Sequence, residues 1–207
     1  MKFKKSSLHP GSAPRIPLEV IMISLYLPAV GAGCAPYSAK PLDLGEDAAS
    51  VVEQREAEGL FVAVKDISGE RESVQYLGRD LVKYGFIPIV ILLELDRNSD
   101  GVFDVRSEDV KLCLRSGHRL QSLDPDRVVE AVSTDRDLAM DYGRKALKSL
   151  RVNPNKRSFR RVLFFAVPKD LTGKFTMEDA FMEMKIYKQG QDGVAGKPLE
   201  FPIHFGR

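Results

Sequence analysis

Apolar residues recur along this chain with two different periods, and each change of period marks a change of element. Residues 59–65 are rich in β-branched and aromatic side chains and leave through the polar Asp66, which predicts a strand. Val74, Leu77, Leu81 and Tyr84 then fall at the spacing of one helical face, and Gly85 stands where a helix would stop. Residues 86–95 form the most apolar segment after the first 34 residues, too continuous for a half-buried strand, so they predict a central strand buried on both faces. Pro88 removes one ladder donor, which places it near that strand's start or at a bulge. After a polar turn from Asp96 to Gly101, residues 102–105 and 109–114 read as two short strands, and Ser116-Gly117-His118 turns the chain back through 119–123.

A helical insertion follows over about 124–151. Asp124 before Pro125 supplies a cap and a first-turn proline, and Thr134 with Asp137 is a capping-box variant ahead of Leu138, Tyr142, Ala146 and Leu150. Strands return at 161–167, 180–187 and 198–205, the last two separated by the glycine-rich hairpin loop 189–196. Upstream, 34–58 is rich in Ala, Pro, Gly and acidic residues and reads as a linker, with 47–57 as a short helix. The expected organisation is therefore a leader over 1–33, a linker over 34–58 and one folded domain over 59–207. Some seven strands with a single helical insertion predict a mainly β protein, an antiparallel β-sandwich rather than a parallel α/β fold. The arrangement resembles the immunoglobulin-like sandwiches of envelope lipoproteins, without the paired cysteines and tryptophan of antibody-type domains. That resemblance implies an architecture and brings no active site with it.

The leader has its own pattern. Lys2, Lys4, Lys5 and Arg15 make the start basic, and residues 20–30 are largely apolar and uncharged, about eleven residues and too few to span about 30 Å of hydrocarbon as a helix. Gly31, Ala32 and Gly33 follow, then Cys34. This order resembles the lipobox of bacterial lipoproteins, in which the leader is cut just before a cysteine whose sulfur carries diacylglycerol and whose new amine is acylated. The resemblance implies cleavage between Gly33 and Cys34, lipidation of Cys34 and a lipid anchor in the cell envelope as the membrane partner. Ala35 lacks the aspartate that marks inner-membrane retention in some lipoproteins, which points to the outer membrane. Gly31 stands where the family has an aliphatic residue, and the basic region is long, so ordinary secretory cleavage nearby and a later true start are the other readings. A buried N-terminal element of a cytosolic domain is a further one.

Composition narrows the function classes. The 207 residues carry 31 basic and 29 acidic side chains, so no broad cationic surface for nucleic acid is implied. Removing 1–33 takes away four basic residues and one acidic residue and leaves a formal charge of about −1. Two cysteines build neither a disulfide scaffold nor a four-thiolate zinc site, and a lipidated Cys34 leaves Cys113 as a small packing residue in a strand.

The sharpest chemical pattern is Asp96, Asn98, Asp100 and Asp104 with Gly101 sixth, oxygen ligands at alternate positions as in a calcium loop. The acid that should stand twelfth falls one later, at Glu108, and the flanks read as strands. A plain strand-connecting turn has the same taste for Asn, Asp and Gly. His9, His118 and His204 are the only histidines and have no zinc-ligand spacing, and no nucleophile elbow, Walker loop or dinucleotide fingerprint occurs. Lys145, Lys148, Arg151, Lys156, Arg157, Arg160 and Arg161 form the one strong run of charge, either a contact for anionic lipid or an acidic envelope partner, or a helix C-terminus followed by a solvated loop. Together these features predict a lipid-anchored envelope protein acting as a non-catalytic binding or structural module. The alternatives are an enzyme with a site assembled from scattered residues and a calcium-stabilised adhesion-type module.

Overall fold

The computed structural model describes residues 39, 53–132, 136–173, 175, 177, 180–190 and 195–205. Among them run nine strands, β1 (Glu53–Ala57), β2 (Leu60–Asp66), β3 (Phe86–Leu95), β4 (Phe103–Cys113), β5 (Arg119–Gln121), β6 (Ser149–Val152), β7 (Ser158–Ala166), β8 (Phe181–Gln189) and β9 (Ala195–His204). The helices are α1 (Glu70–Leu77), α2 (Pro125–Val132) and α3 (Arg136–Lys145), with short 3-10 turns at Leu81–Tyr84 and Lys169–Leu171.

One sheet has the order β1-β2-β3-β7 and the other β5-β4-β8-β9, with β6 also paired to β4, and every pairing between strands is antiparallel. The chain crosses between sheets so that β3 neighbours β7 and β4 neighbours β8. With β2, β3 and β7 in the places of strands A, B and E, and β4, β8 and β9 in those of C, F and G, this is the immunoglobulin-like sandwich.

Alternation along β3 explains its apolar run. Ile87, Ile89, Ile91, Leu93 and Leu95 face the core between the sheets, against Val105, Val110 and Leu112 of β4 and Met182, Met184 and Ile186 of β8. Phe86, Val90 and Leu92 face outward into a second core, shared with Val162 and Phe164 of β7 and covered by Tyr76, Leu77, Val128, Val132, Leu138 and Tyr142 of the helices. The described residues thus form three layers, helices on sheet on sheet, and among them the first sheet is buried on both sides.

The helical layer is fixed by polar contacts as well. α1 ends at Gly78 with φ 70°, and its last two carbonyls have no partner within the helix. Lys145 Nζ donates to Tyr76 O at 2.7 Å and Tyr142 Oη to Leu77 O at 2.8 Å, so α3 caps α1 across 69 and 65 residues of chain. The buried Ser73 Oγ donates to Arg79 O and accepts from Leu81 N, pinning the exit of α1 to the turn that follows.

Four expectations are corrected. Residues 53–57 pair with β2 as a strand rather than ending a helix, so the folded part begins before residue 59; 47–52 lie outside the described residues. The supposed single helix through Val74 and Tyr84 breaks at Gly78, and these two side chains are 46% and 47% exposed while Ser73 and Tyr76 turn inward. The helical insertion ends at Lys145, and 149–152 pair with β4 because this stretch closes an edge of the second sheet. Residues 103–113 form one strand, whose register against β8 slips between Val105 and Val110. That bulge is where the apolar pattern broke at Arg106, Ser107 and Glu108.

The free edges are guarded. Leu147 N donates to Val162 O and Leu123 N to Phe164 O, so the flanks of the helical insertion cover the outer edge of β7. On β9, Phe205 N bonds to Ala180 O across the hairpin, which turns the backbone groups of 198, 200, 202 and 204 toward the outer edge. Pro198 and Pro202 remove two of the donors there, a known defence against edge-to-edge pairing.

Candidate functional site

Gly33, Cys34 and His9 lie outside the described residues. The other sequence-derived candidates meet mostly at the end of the sandwich formed by the β1–β2, β3–β4 and β6–β7 turns. The β1–β2 connection is a two-residue turn in which Glu58 has φ 51° and Gly59 φ 79°, the left-handed pair that Asn-Gly ordinarily supplies. Glu58 keeps that conformation while its carboxylate meets Lys188 Nζ of β8 at 2.6 Å, tying the two sheets. Gly59 is required twice, by φ and because a Cβ there would stand 2.9 Å from Ser99 Cβ.

The β3–β4 turn satisfies its own polar groups. Asn98 N donates to Asp96 Oδ1 at 2.7 Å and Ser99 N to Asp96 O at 3.0 Å, and Arg157 Nη1 clamps the carbonyls of Asp96 and Ser99 at 2.6 and 3.2 Å. Asp104 has left the turn for β4, where Arg151 Nε and Nη2 bind its two oxygens at 2.7 and 3.2 Å and Gln189 Nε2 donates to Oδ2, the oxygen Arg151 Nη2 also binds. Among the described residues no group of three or more His, Cys, Asp and Glu is placed to hold a metal ion. The calcium spacing predicts that Asp96, Asn98, Asp100 and Asp104 converge, whereas strand pairing aims Asp104 at Arg151.

Arg151 holds the Asp104 carboxyl below the usual carboxylate range, with Gln189 adding to the effect and partial burial opposing it. A carboxyl depressed in the folded state contributes its stability above the unfolded value of about 4 and loses it as pH falls through the lower folded value. Thermal unfolding from pH 7 to 3 is thus expected to fall less steeply below about pH 4 in Asp104→Asn than in the parent. Asp66 has the opposite sign: burial pushes its pKa up against the hydrogen bond from Ser68, so protonation there favours the fold as pH falls.

The basic run does not form one patch. Lys145 is 8% exposed, with Nζ 2.5 Å from Asp141 Oδ2, which corrects its reading as a surface contact. Lys148 stands 3.7 and 3.8 Å from Asp124 and Asp126, and Arg151 and Arg157 are engaged as above. Lys156 and Arg161 lie over the Phe159 ring at 4.8 and 5.7 Å, and the exposed Arg160 has partners of its own.

At the opposite end the fold makes a contact that spacing could not show. Ser116 Oγ lies 2.8 Å from His118 Nδ1, and His118 Nε2 lies 3.4 Å from Asp170 Oδ1, fifty-two residues further on. The order is that of a nucleophile, a base and an orienting acid, but Ser116 is exposed and Asp170 is 63% exposed, so water competes at both bonds. Cys113 closes β4 as a buried thiol whose pKa burial pushes up, the opposite of an activated nucleophile.

The loop end also carries an aromatic position that no local sequence pattern marks. The rows across the outer face of the first sheet run Lys65–Val90–Val162, then Ala63–Leu92–Arg160, then Phe61–Glu94–Ser158, with Glu56 facing Phe61 from β1. Lys65 and Ala63 are buried, Leu92 packs against the helical core, and Phe61 belongs to neither core. Phe61 lines a depression of about 420 Å³ with Glu56, Gly59, Glu94, Asp96, Arg97 and Asn98. On the other side of the same turn Glu58, Asp100, Lys188 and Gln189 line a second, larger depression of about 590 Å³. The outward position of Phe61, between the inward Leu60 and Val62, follows from strand alternation once β2 is placed.

No family model matches the chain, and no curated protein does. Among solved structures it is similar to the yjhA protein from Bacillus subtilis, with a TM-score of 0.41 and 6% identity over 75% of this chain and 97% of that one. It is also similar to ycdA, described as a candidate lipoprotein of Bacillus subtilis, with a TM-score of 0.37 and 14% identity over 73% of this chain and 38% of that one. Among the described residues no helix is long and apolar enough to cross a membrane.

Proposed function

We propose that this chain is a lipid-anchored protein of the bacterial envelope whose immunoglobulin-like domain serves as a non-catalytic binding module. The observation that carries the reading is the order of basic start, apolar run, small residues and Cys34 ahead of a folded domain. Each buried CH₂ contributes about 0.8 kcal/mol, so the three acyl chains of a mature lipoprotein hold a domain at a membrane where one chain would not. The domain supports the rest: its polar end turns are rigidly held, the place where a sandwich presents binding residues, and the Ser116-His118-Asp170 contact is solvated. The partners that follow are the membrane, through the anchor, and an envelope component at the loop end.

Expression of the full chain in a bacterial host fed labelled palmitate tests the reading. The parent is expected to carry label and sediment with membranes, and Cys34→Ser to lose the label. Label retained in Cys34→Ser, or an unlabelled and soluble parent, contradicts it.

A further inference from the structure

The depression around Phe61 has a composition that selects its ligand. Register places Glu56 and Glu94 directly on either side of Phe61, each one strand away, so about 10 Å separates the two backbones with an aromatic ring between them. Arg97 and Asn98 come from the turn that forms its rim, and Gly59 leaves backbone uncovered beside the ring. The helical layer buries the Lys65–Val90–Val162 row and packs against Leu92 of the next, and Phe61 lies beyond it. Phe61 is thus an unshared ring on a rigid three-strand platform rather than a displaced core residue.

The polar lining contains both kinds of partner. Glu56, Glu94 and Asp96 only accept hydrogen bonds, Arg97 only donates, and Asn98 does both. An anion would use the donors and meet three carboxylates. A cation would use the acceptors and meet the guanidinium. A hydroxyl donates and accepts at once, and the C–H face of a sugar ring lies well on the negative face of an aromatic ring. We propose that this depression is a saccharide subsite, with a sugar ring stacked on Phe61, its hydroxyls donating to Glu56 and Glu94 and accepting from Arg97 and Asn98. This rests on the domain being a binding module and names its ligand class as a neutral envelope glycan.

Saturation-transfer NMR on the purified full-length chain in a sugar-free detergent tests it, with an N-acetylglucosamine tetramer and a glucose tetramer as probes. At least one probe is expected to receive saturation at its ring C–H protons, with dissociation in the millimolar range, near −4 kcal/mol and weak as expected for a single stacked ring. Phe61→Ala is expected to weaken binding at least about tenfold, and so is Glu94→Gln, which touches neither core. No transfer from either probe up to about 20 mM overturns the proposal, and so does transfer that both variants leave unchanged. Displacement of the sugar by arginine methyl ester at lower concentration overturns it in favour of a cation site. Because acylation of Cys34 does not enter this readout, failure here removes the sugar subsite and leaves the lipid anchor to its own test.

Discussion

Lys145→Met is expected to cost about 2–4 kcal/mol, read as a lower urea midpoint with an unchanged slope. Lys145 is one cation in a run that sequence alone treats as uniform, and the fold sets it apart. Its ammonium meets Asp141 at 2.5 Å and the carbonyl of Tyr76 at 2.7 Å, and the side chains of the ion pair are 10% and 15% exposed. Removing it leaves a half-enclosed carboxylate and a helix-end carbonyl short of a partner, which costs more than the pair itself contributes. Lys148→Met is the comparison: its side chain is 57% exposed and its carboxylate neighbours stand beyond hydrogen-bond distance, so a change within about 0.5 kcal/mol is expected. Equal effects of the two variants would mean that α3 does not cap α1.

Phe164→Ala is expected to be costlier still, about 3–5 kcal/mol, with a fall in melting temperature of about 10 °C. Phe164 is 1% exposed on the face of β7 that meets the helices, stacked on Tyr142 at 5.7 Å between ring centroids. Truncation opens a cavity that a sheet on one side and two helices on the other are too rigid to fill. It also loosens the packing that holds Tyr142 Oη on Leu77 O, a phenol whose pKa burial has already driven up. Phe181→Ala, on the outer face of the second sheet where the ring tilts against His204, is expected to cost about 1 kcal/mol. A loss below about 1 kcal/mol at Phe164 would deny that the helical layer is a second core.

The parts of this fold that were legible in the sequence are those where one local pattern decides. The apolar run at 86–93 has few resting places other than a strand covered on both sides, and β3 occupies one. The β8–β9 hairpin followed from glycine-rich residues between two alternating segments. The parts that were not legible depend on partners distant in sequence. Residues 53–57 read as helical by composition and become β1 because β2 offers an edge. Residues 102–114 read as two strands because three polar residues interrupt them, yet antiparallel pairing to β8 runs through the interruption by bulging.

The candidate site divides in the same way. The turn at 96–101 was visible from its Asp, Asn and Gly, but the guanidinium of Arg157 that locks it comes from 58 residues away. Lys145 could have been set apart from the other cations, since Leu138, Tyr142 and Lys145 share a helical face. Phe61 stands out only once the helical layer is seen to stop one row short of it.

The measurement that bears most directly on the central claim is the mass of the amino-terminal fragment of the mature protein recovered from bacterial membranes. A lipid anchor predicts a fragment that begins at Cys34 and carries diacylglycerol and an amide-linked acyl chain. A fragment that begins at Met1, or an unmodified Cys34 in protein recovered from the soluble fraction, would contradict it.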